Sequence, residues 1–162
     1  MIKLTEDMRR VGGVALGGIW IGDSTDEASV HLDSVDIGAI LNVAQDMVTT
    51  RDWSQGVESM HVGLIDGPGN EVAAYCSAVL ALHALLKRHN TLVCCHVGGR
   101  ALAVAIMYLN AAEGAPYKAW DHWLAMLGER VDQELPTPND VHRNRYVSVD
   151  WHSLTTIMKG TS

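Results

Sequence analysis

The sequence predicts an α/β fold in which helices flank a mainly parallel central sheet. Short apolar runs suited to strands alternate with longer stretches whose apolar residues recur at helical spacing. Clusters of Gly, Pro, Asn and Asp punctuate the boundaries between them. Residues 100–110 are apolar on nearly every side, so a helix there has to be enclosed by other layers.

Residues 14–22 read as a glycine-punctuated pair of short strands. Asp23-Ser24-Thr25-Asp26-Glu27 supplies helix-start residues for a short helix to about Leu32. Residues 37–44 form an apolar run bounded by polar residues, which suits a strand buried on both faces. Residues 62–65 read as a further strand, ending in the turn cluster Asp66-Gly67-Pro68-Gly69. From Asn70 to about His89, the residues Val72, Cys76, Val79, Leu80, Leu82, Leu85 and Leu86 recur at helical spacing, with Asn70 as cap. Thr91-Leu92-Val93-Cys94 is a strand leading into the apolar helix. Pro116 is read as opening a helix over residues 117–131, with Trp120, Trp123, Leu124 and Leu127 on one face, and Pro136 and Pro138 as its end. A last helix is expected over residues 141–158. No repeat, low-complexity tract or linker interrupts the chain, so one domain over residues 1–162 is expected.

A hydrophobic share of 48% and a charged share of 19% are ordinary for a globular protein and argue against disorder. The longest apolar run, residues 101–109, falls far short of the roughly 20 residues a bilayer span requires, and the N-terminus lacks signal-peptide regions. No membrane partner is expected. Three cysteines, two of them adjacent, suit free thiols in a reducing compartment, with the cytoplasm as default. A formal charge of −7 disfavours nucleic acid as partner. A phosphorylated substrate stays compatible, because an anion site needs only one arginine and converging backbone N–H groups. The eight histidines are scattered without zinc-site spacing, and no metal or organic cofactor is expected.

The chemistry concentrates in Cys94-Cys95-His96-Val97-Gly98-Gly99-Arg100, a loop between a strand and a buried helix. N–H groups at a helix N-terminus cradle an anion, and the same field favours a cysteine thiolate. An arginine adds a planar fork that grips two phosphate oxygens. Asp66 also falls at a predicted strand end, where ligands of parallel sheets bind, so the two can converge.

Cys94 and Arg100, with five residues between them, carry the spacing of the cysteine-phosphatase signature. The apolar helix ends in Tyr108-Leu109, upstream lie Ile40-Leu41-Asn42-Val43-Ala44 and His61-Val62-Gly63-Leu64-Ile65-Asp66, and downstream lies Pro138-Asn139. Together these resemble the dual-specificity phosphatases over most of the chain. The resemblance implies a cysteine-phosphatase-like three-layer sandwich and a phosphomonoester substrate on a protein or a small molecule. It implies Cys94 as nucleophile, Arg100 and the loop Cys95, His96, Val97, Gly98 and Gly99 as phosphate holders, and Asp66 as general acid. Asp46 and Asp52 are the next candidates for the acid, since the intervening loop can fold toward the site.

The loop departs from the family pattern, which has histidine before the nucleophile, glycine three residues after it and Ser or Thr after the arginine. Counting from Cys94 puts Val93, Val97 and Ala101 at those places. Counting from Cys95 restores the glycine as Gly98 but leaves only four residues before Arg100. Cys94 is preferred because the longer loop wraps three phosphate oxygens. The shorter count is similar to the loop of rhodanese-type sulfurtransferases acting through Cys95, and a noncatalytic phosphate-binding relative is the other alternative. Bland readings stand beside these: Cys76 as a buried structural thiol, Asp66 as a turn residue, Trp120 and Trp123 as core.

Overall fold

The computed structural model describes residues 1–6, 9–29, 36–48 and 56–160. Its strands are β1 (Ile2–Lys3), β2 (Arg9–Val11), β3 (Val14–Leu16), β4 (Ile19–Gly22), β5 (Ala39–Ala44), β6 (Glu58–Leu64) and β7 (Thr91–Cys94). The helices are α1 (Ser24–Ser29), α2 (Val72–Leu86), α3 (Gly99–Glu113), α4 (Trp120–Arg130), α5 (Asp140–Tyr146) and α6 (Trp151–Gly160). The expected end of the first helix at Leu32 lies outside the described residues.

Five strands form one sheet in the order β1-β4-β7-β5-β6, parallel except for β1. The two central strands, β5 and β7, are buried along their whole length, as apolar runs without alternation require. β2 and β3 pair in a separate hairpin, so the two strands read within residues 14–22 belong to different sheets. Parallel register aligns Gly22 and Asn42 with Cys94, and Ala44 with Leu64, so the carboxyl ends of β4, β7, β5 and β6 face one edge.

α3 is buried from Gly99 through Ala112. It touches β4, β5 and β7 on the sheet and α2, α4, α5 and α6 around it, which accounts for its lack of a polar face. Among the described residues no helix is long and apolar enough to cross a membrane.

Three boundaries differ from expectation. Asn70 does not cap α2; the cap position is Glu71, and the Asn70 amide instead bonds both backbone groups of Ile65. Pro116 does not open α4, which starts at Trp120. The intervening segment is tied down by Lys118 N–H donating to Asn110 Oδ1 and by the Tyr117 hydroxyl donating to Thr155. The expected helix over residues 141–158 is two helices, because Asp150 accepts from the Ser153 N–H and hydroxyl and starts α6 afresh.

Asn42 ties the end of β5 to the loop that follows it. Fully buried, it donates from Nδ2 to the Met47 carbonyl at 2.7 Å and accepts the Ala44 N–H at 2.9 Å. Asn42→Ala should therefore lower unfolding free energy by about 1–3 kcal/mol, the cost of orphaned buried polar groups. Urea titration checks this, and an unchanged midpoint would show that the loop is held otherwise.

Candidate active site

The site grows from the turn between β7 and α3. Cys95 N–H donates back to the Gly22 carbonyl and Ser24 N–H to the His96 carbonyl, anchoring the loop to the end of β4 and the start of α1. Gly98, at φ 95°, is the reversal that admits α3. A Cβ there would come 3.0 Å from Pro136, so both the backbone and the packing call for glycine.

The two cysteines part company at this point. Cys94 ends β7 with its side chain buried; burial pushes its thiol well above the ordinary value, and the nearby Glu27 carboxylate acts in the same direction. Cys95 turns into the loop. Its sulfur accepts the Gly98 N–H at 3.1 Å and the Ala101 N–H at 3.4 Å, the donors flanking the first turn of α3. Strand alternation sends adjacent side chains opposite ways, and these amides meet the sulfur of Cys95 rather than that of Cys94. The loop from that sulfur to Arg100 has four intervening residues, with Gly98 third after the cysteine.

Among the described residues the N–H groups of His96, Val97, Gly99 and Arg100 carry no hydrogen bond, which leaves donors for an anion at the helix N-terminus. Arg100 is 4% exposed. Its Nη1 donates to Asp46 Oδ1 at 2.8 Å and to the Leu64 carbonyl at 2.9 Å, while Nε and Nη2 make no bond to a described residue. One guanidinium nitrogen thus ties the loop after β5 to the end of β6. Val97 is exposed and, with Gly98, borders a cleft of about 370 Å³ whose walls include Asp23, Asp26 and Glu134.

Asp46 stands at the loop through its contacts with both Arg100 and His96, the latter at 3.5 Å. The Arg100 hydrogen bond holds its carboxyl below the ordinary value. Asp52 lies outside the described residues. Asp66 follows β6 by two residues and lies two positions beyond the carbonyl that Arg100 grips. Its Oδ1 is 3.1 Å from Nε2 of the fully buried His142, whose Nδ1 is 2.6 Å from the Tyr75 hydroxyl. Nothing in the sequence pairs His142 with Asp66, which lie 76 residues apart. Cys76 is only partly buried on α2, with burial raising its thiol. No group of three or more His, Cys, Asp or Glu side chains able to hold a metal occurs among the described residues.

A mainly parallel sheet, a central strand ending in a cysteine loop and an enclosed helix behind it make up the fold of the dual-specificity phosphatases. DUSP15 superposes with a TM-score of 0.70 at 17% identity, over 94% of this chain and 95% of that one. Human DUSP28 superposes at 0.65 with 15% identity over 100% of both chains. The Orf virus protein OH1, a tyrosine phosphatase with triple substrate specificity, superposes at 0.59 with 23% identity, over 90% of this chain and 87% of that one. No protein-family profile matches the sequence, and no curated protein is similar to it.

The Asp46–Arg100 pair carries a testable pH signature. A carboxyl depressed in the folded state adds stability above its unfolded pKa of about 3.9, and that stability is lost as pH falls through the lower folded value. Asp46 is 65% exposed, so solvent screening keeps the contribution small. Carbon-detected NMR titration should find Asp46 below the ordinary carboxylate range, and Arg100→Met should return it upward. An unmoved midpoint would mean that the pair does not form in solution.

Proposed function

We propose that the chain is a cysteine-dependent phosphatase that hydrolyses phosphomonoesters, with Cys95 rather than Cys94 as nucleophile. The observation that carries this reading is the pair of amide donors aimed at the Cys95 sulfur, since negative charge at a helix N-terminus is what such a nucleophile requires. The Cys95 thiolate attacks phosphorus, forming an S–P bond while the P–O bond to the leaving group breaks. Arg100 and the loop amides hold the equatorial oxygens, and Asp66 gives its proton to the departing oxygen. Water then attacks the thiophosphoryl group and Asp66 takes a proton from it. Inorganic phosphate leaves, and the sulfur returns as thiolate. Phosphotyrosine, phosphoserine or phosphothreonine in proteins and small phosphoesters are the substrate classes that this chemistry would take.

Cys95→Ser should abolish hydrolysis of an aryl phosphate, while Cys94→Ser should retain a substantial fraction of it. Wild-type turnover should survive chelator and be blocked by vanadate. Loss in Cys94→Ser with activity kept in Cys95→Ser would return the role to Cys94.

Asp66→Asn should slow an alkyl phosphate, whose leaving group needs a proton, by roughly 100-fold and a p-nitrophenyl ester much less. Equal losses on both would remove Asp66 from the acid role.

The four-residue spacing from Cys95 to Arg100 favours one second reading, sulfur transfer. Cys95 would take the outer sulfur of thiosulfate as a persulfide, releasing sulfite, and pass it to cyanide as thiocyanate. Thiocyanate formation without phosphate release would select that reading. Vanadate binding with neither product would select a binding-only protein.

A further inference from the structure

The polar groups behind Asp66 form a closed chain in which every hydrogen has one place to go. Ile65 N–H donates to Asn70 Oδ1 at 2.9 Å, and Asn70 Nδ2 donates to the Ile65 carbonyl at 2.7 Å. Those two backbone bonds determine which end of the Asn70 amide is nitrogen, because a backbone N–H only donates and a carbonyl only accepts. The second Nδ2 hydrogen then goes to the Tyr75 oxygen at 3.2 Å. The described residues offer the Tyr75 hydroxyl hydrogen no acceptor other than His142 Nδ1, 2.6 Å away. With Nδ1 accepting, the imidazole hydrogen sits on Nε2 and points at Asp66 Oδ1.

We infer that His142, oriented by Tyr75 and Asn70, is a positioning residue for Asp66: it occupies Oδ1 as a donor and leaves Oδ2 to carry the transferable proton. This rests on the reading of Asp66 as general acid. A carboxyl whose Oδ1 already accepts a hydrogen bond takes its proton on the other oxygen, and Asp66 is 42% exposed, so that oxygen has access to substrate. His142 is fully buried at the start of α5, and burial, opposed by the Asp66 bond and assisted by the nearby Arg100 charge, holds it below its ordinary value and neutral. The same chain runs through Ile65, Asn70 and Tyr75, so the turn bearing Asp66 is clamped at both ends to α2 and α5. The geometry assigns His142 no contact with the reacting atoms.

Two measurements on the intact chain test this. Long-range ¹⁵N–¹H NMR of the wild-type protein at pH 7 should find His142 neutral with its hydrogen on Nε2. A hydrogen on Nδ1, or an imidazolium, overturns the inference whether or not the protein turns over substrate. In kinetics, His142→Phe should lower kcat for an alkyl phosphate about tenfold, part of the range available to general acid catalysis. It should leave p-nitrophenyl phosphate within about twofold and KM unchanged. His142→Gln, whose amide can both accept from Tyr75 and donate to Asp66, should restore most of the loss. Equal losses on both substrates, or a Gln variant no better than Phe, overturn the positioning role. A wild-type protein that hydrolyses neither ester overturns the phosphatase reading instead, and the tautomer then decides the hydrogen-bond direction alone.

Discussion

Two peptide N–H groups on one sulfur atom are the constraint around which the rest of the molecule is arranged. To bring the Gly98 and Ala101 donors onto Cys95, the chain must leave the central strand, reverse at a left-handed glycine and enter a helix within four residues. That turn is tight because the helix behind it is fully enclosed and cannot shift outward to relax it. The segment carrying Pro136 and Thr137 lies against Gly98 and Gly99 and closes the loop from outside, so that a Cβ at Gly98 would press on Pro136.

Arg100 extends the constraint across the sheet. Buried at the start of α3, it spends one guanidinium nitrogen on the Leu64 carbonyl at the end of β6 and on the Asp46 carboxylate in the turn that follows β5. A charge in that position is tolerated because it is paired and hydrogen-bonded. The bond to Leu64 places the β6 end, and hence the turn bearing Asp66, in fixed relation to the cysteine loop. From the other side, His142 and Tyr75 hold the same turn, so it is braced by α2, α3 and α5 at once. On the proposed phosphatase reading, a phosphate would meet donors that are already in place, which lowers the reorganisation needed on binding.

Where sequence and structure agree, the signal is local. The apolar run at residues 37–44, of which 39–44 form β5, the strand at 91–94 and the enclosed helix from Arg100 each follow from composition and period within a dozen residues. The misreadings share a different cause. Asn70 has the chemistry of a helix cap, yet its amide is taken by Ile65 five residues back. Pro116 has the φ of a first helical residue, yet Asn110 and Thr155 hold the segment after it out of the helix. The long periodic stretch near the C-terminus conceals a break, because Asp150 caps the second half.

The sequence by itself determined the class of fold and the cysteine-glycine-arginine loop between a strand and an enclosed helix, since these depend on hydrophobic period, turn residues and spacing along one chain. It could not determine which of two adjacent thiols faces the cradle. That choice depends on the phase of β7 within the sheet, which its neighbours set: Cys94 aligns with Gly22 and Asn42, and of the two buried thiols it is the next one that meets the helix amides. Nor could it determine that Arg100 is shared with Asp46, or that His142 stands behind Asp66. Partners 54 and 76 residues apart leave no periodic trace, and only packing around one core brings them within hydrogen-bond reach.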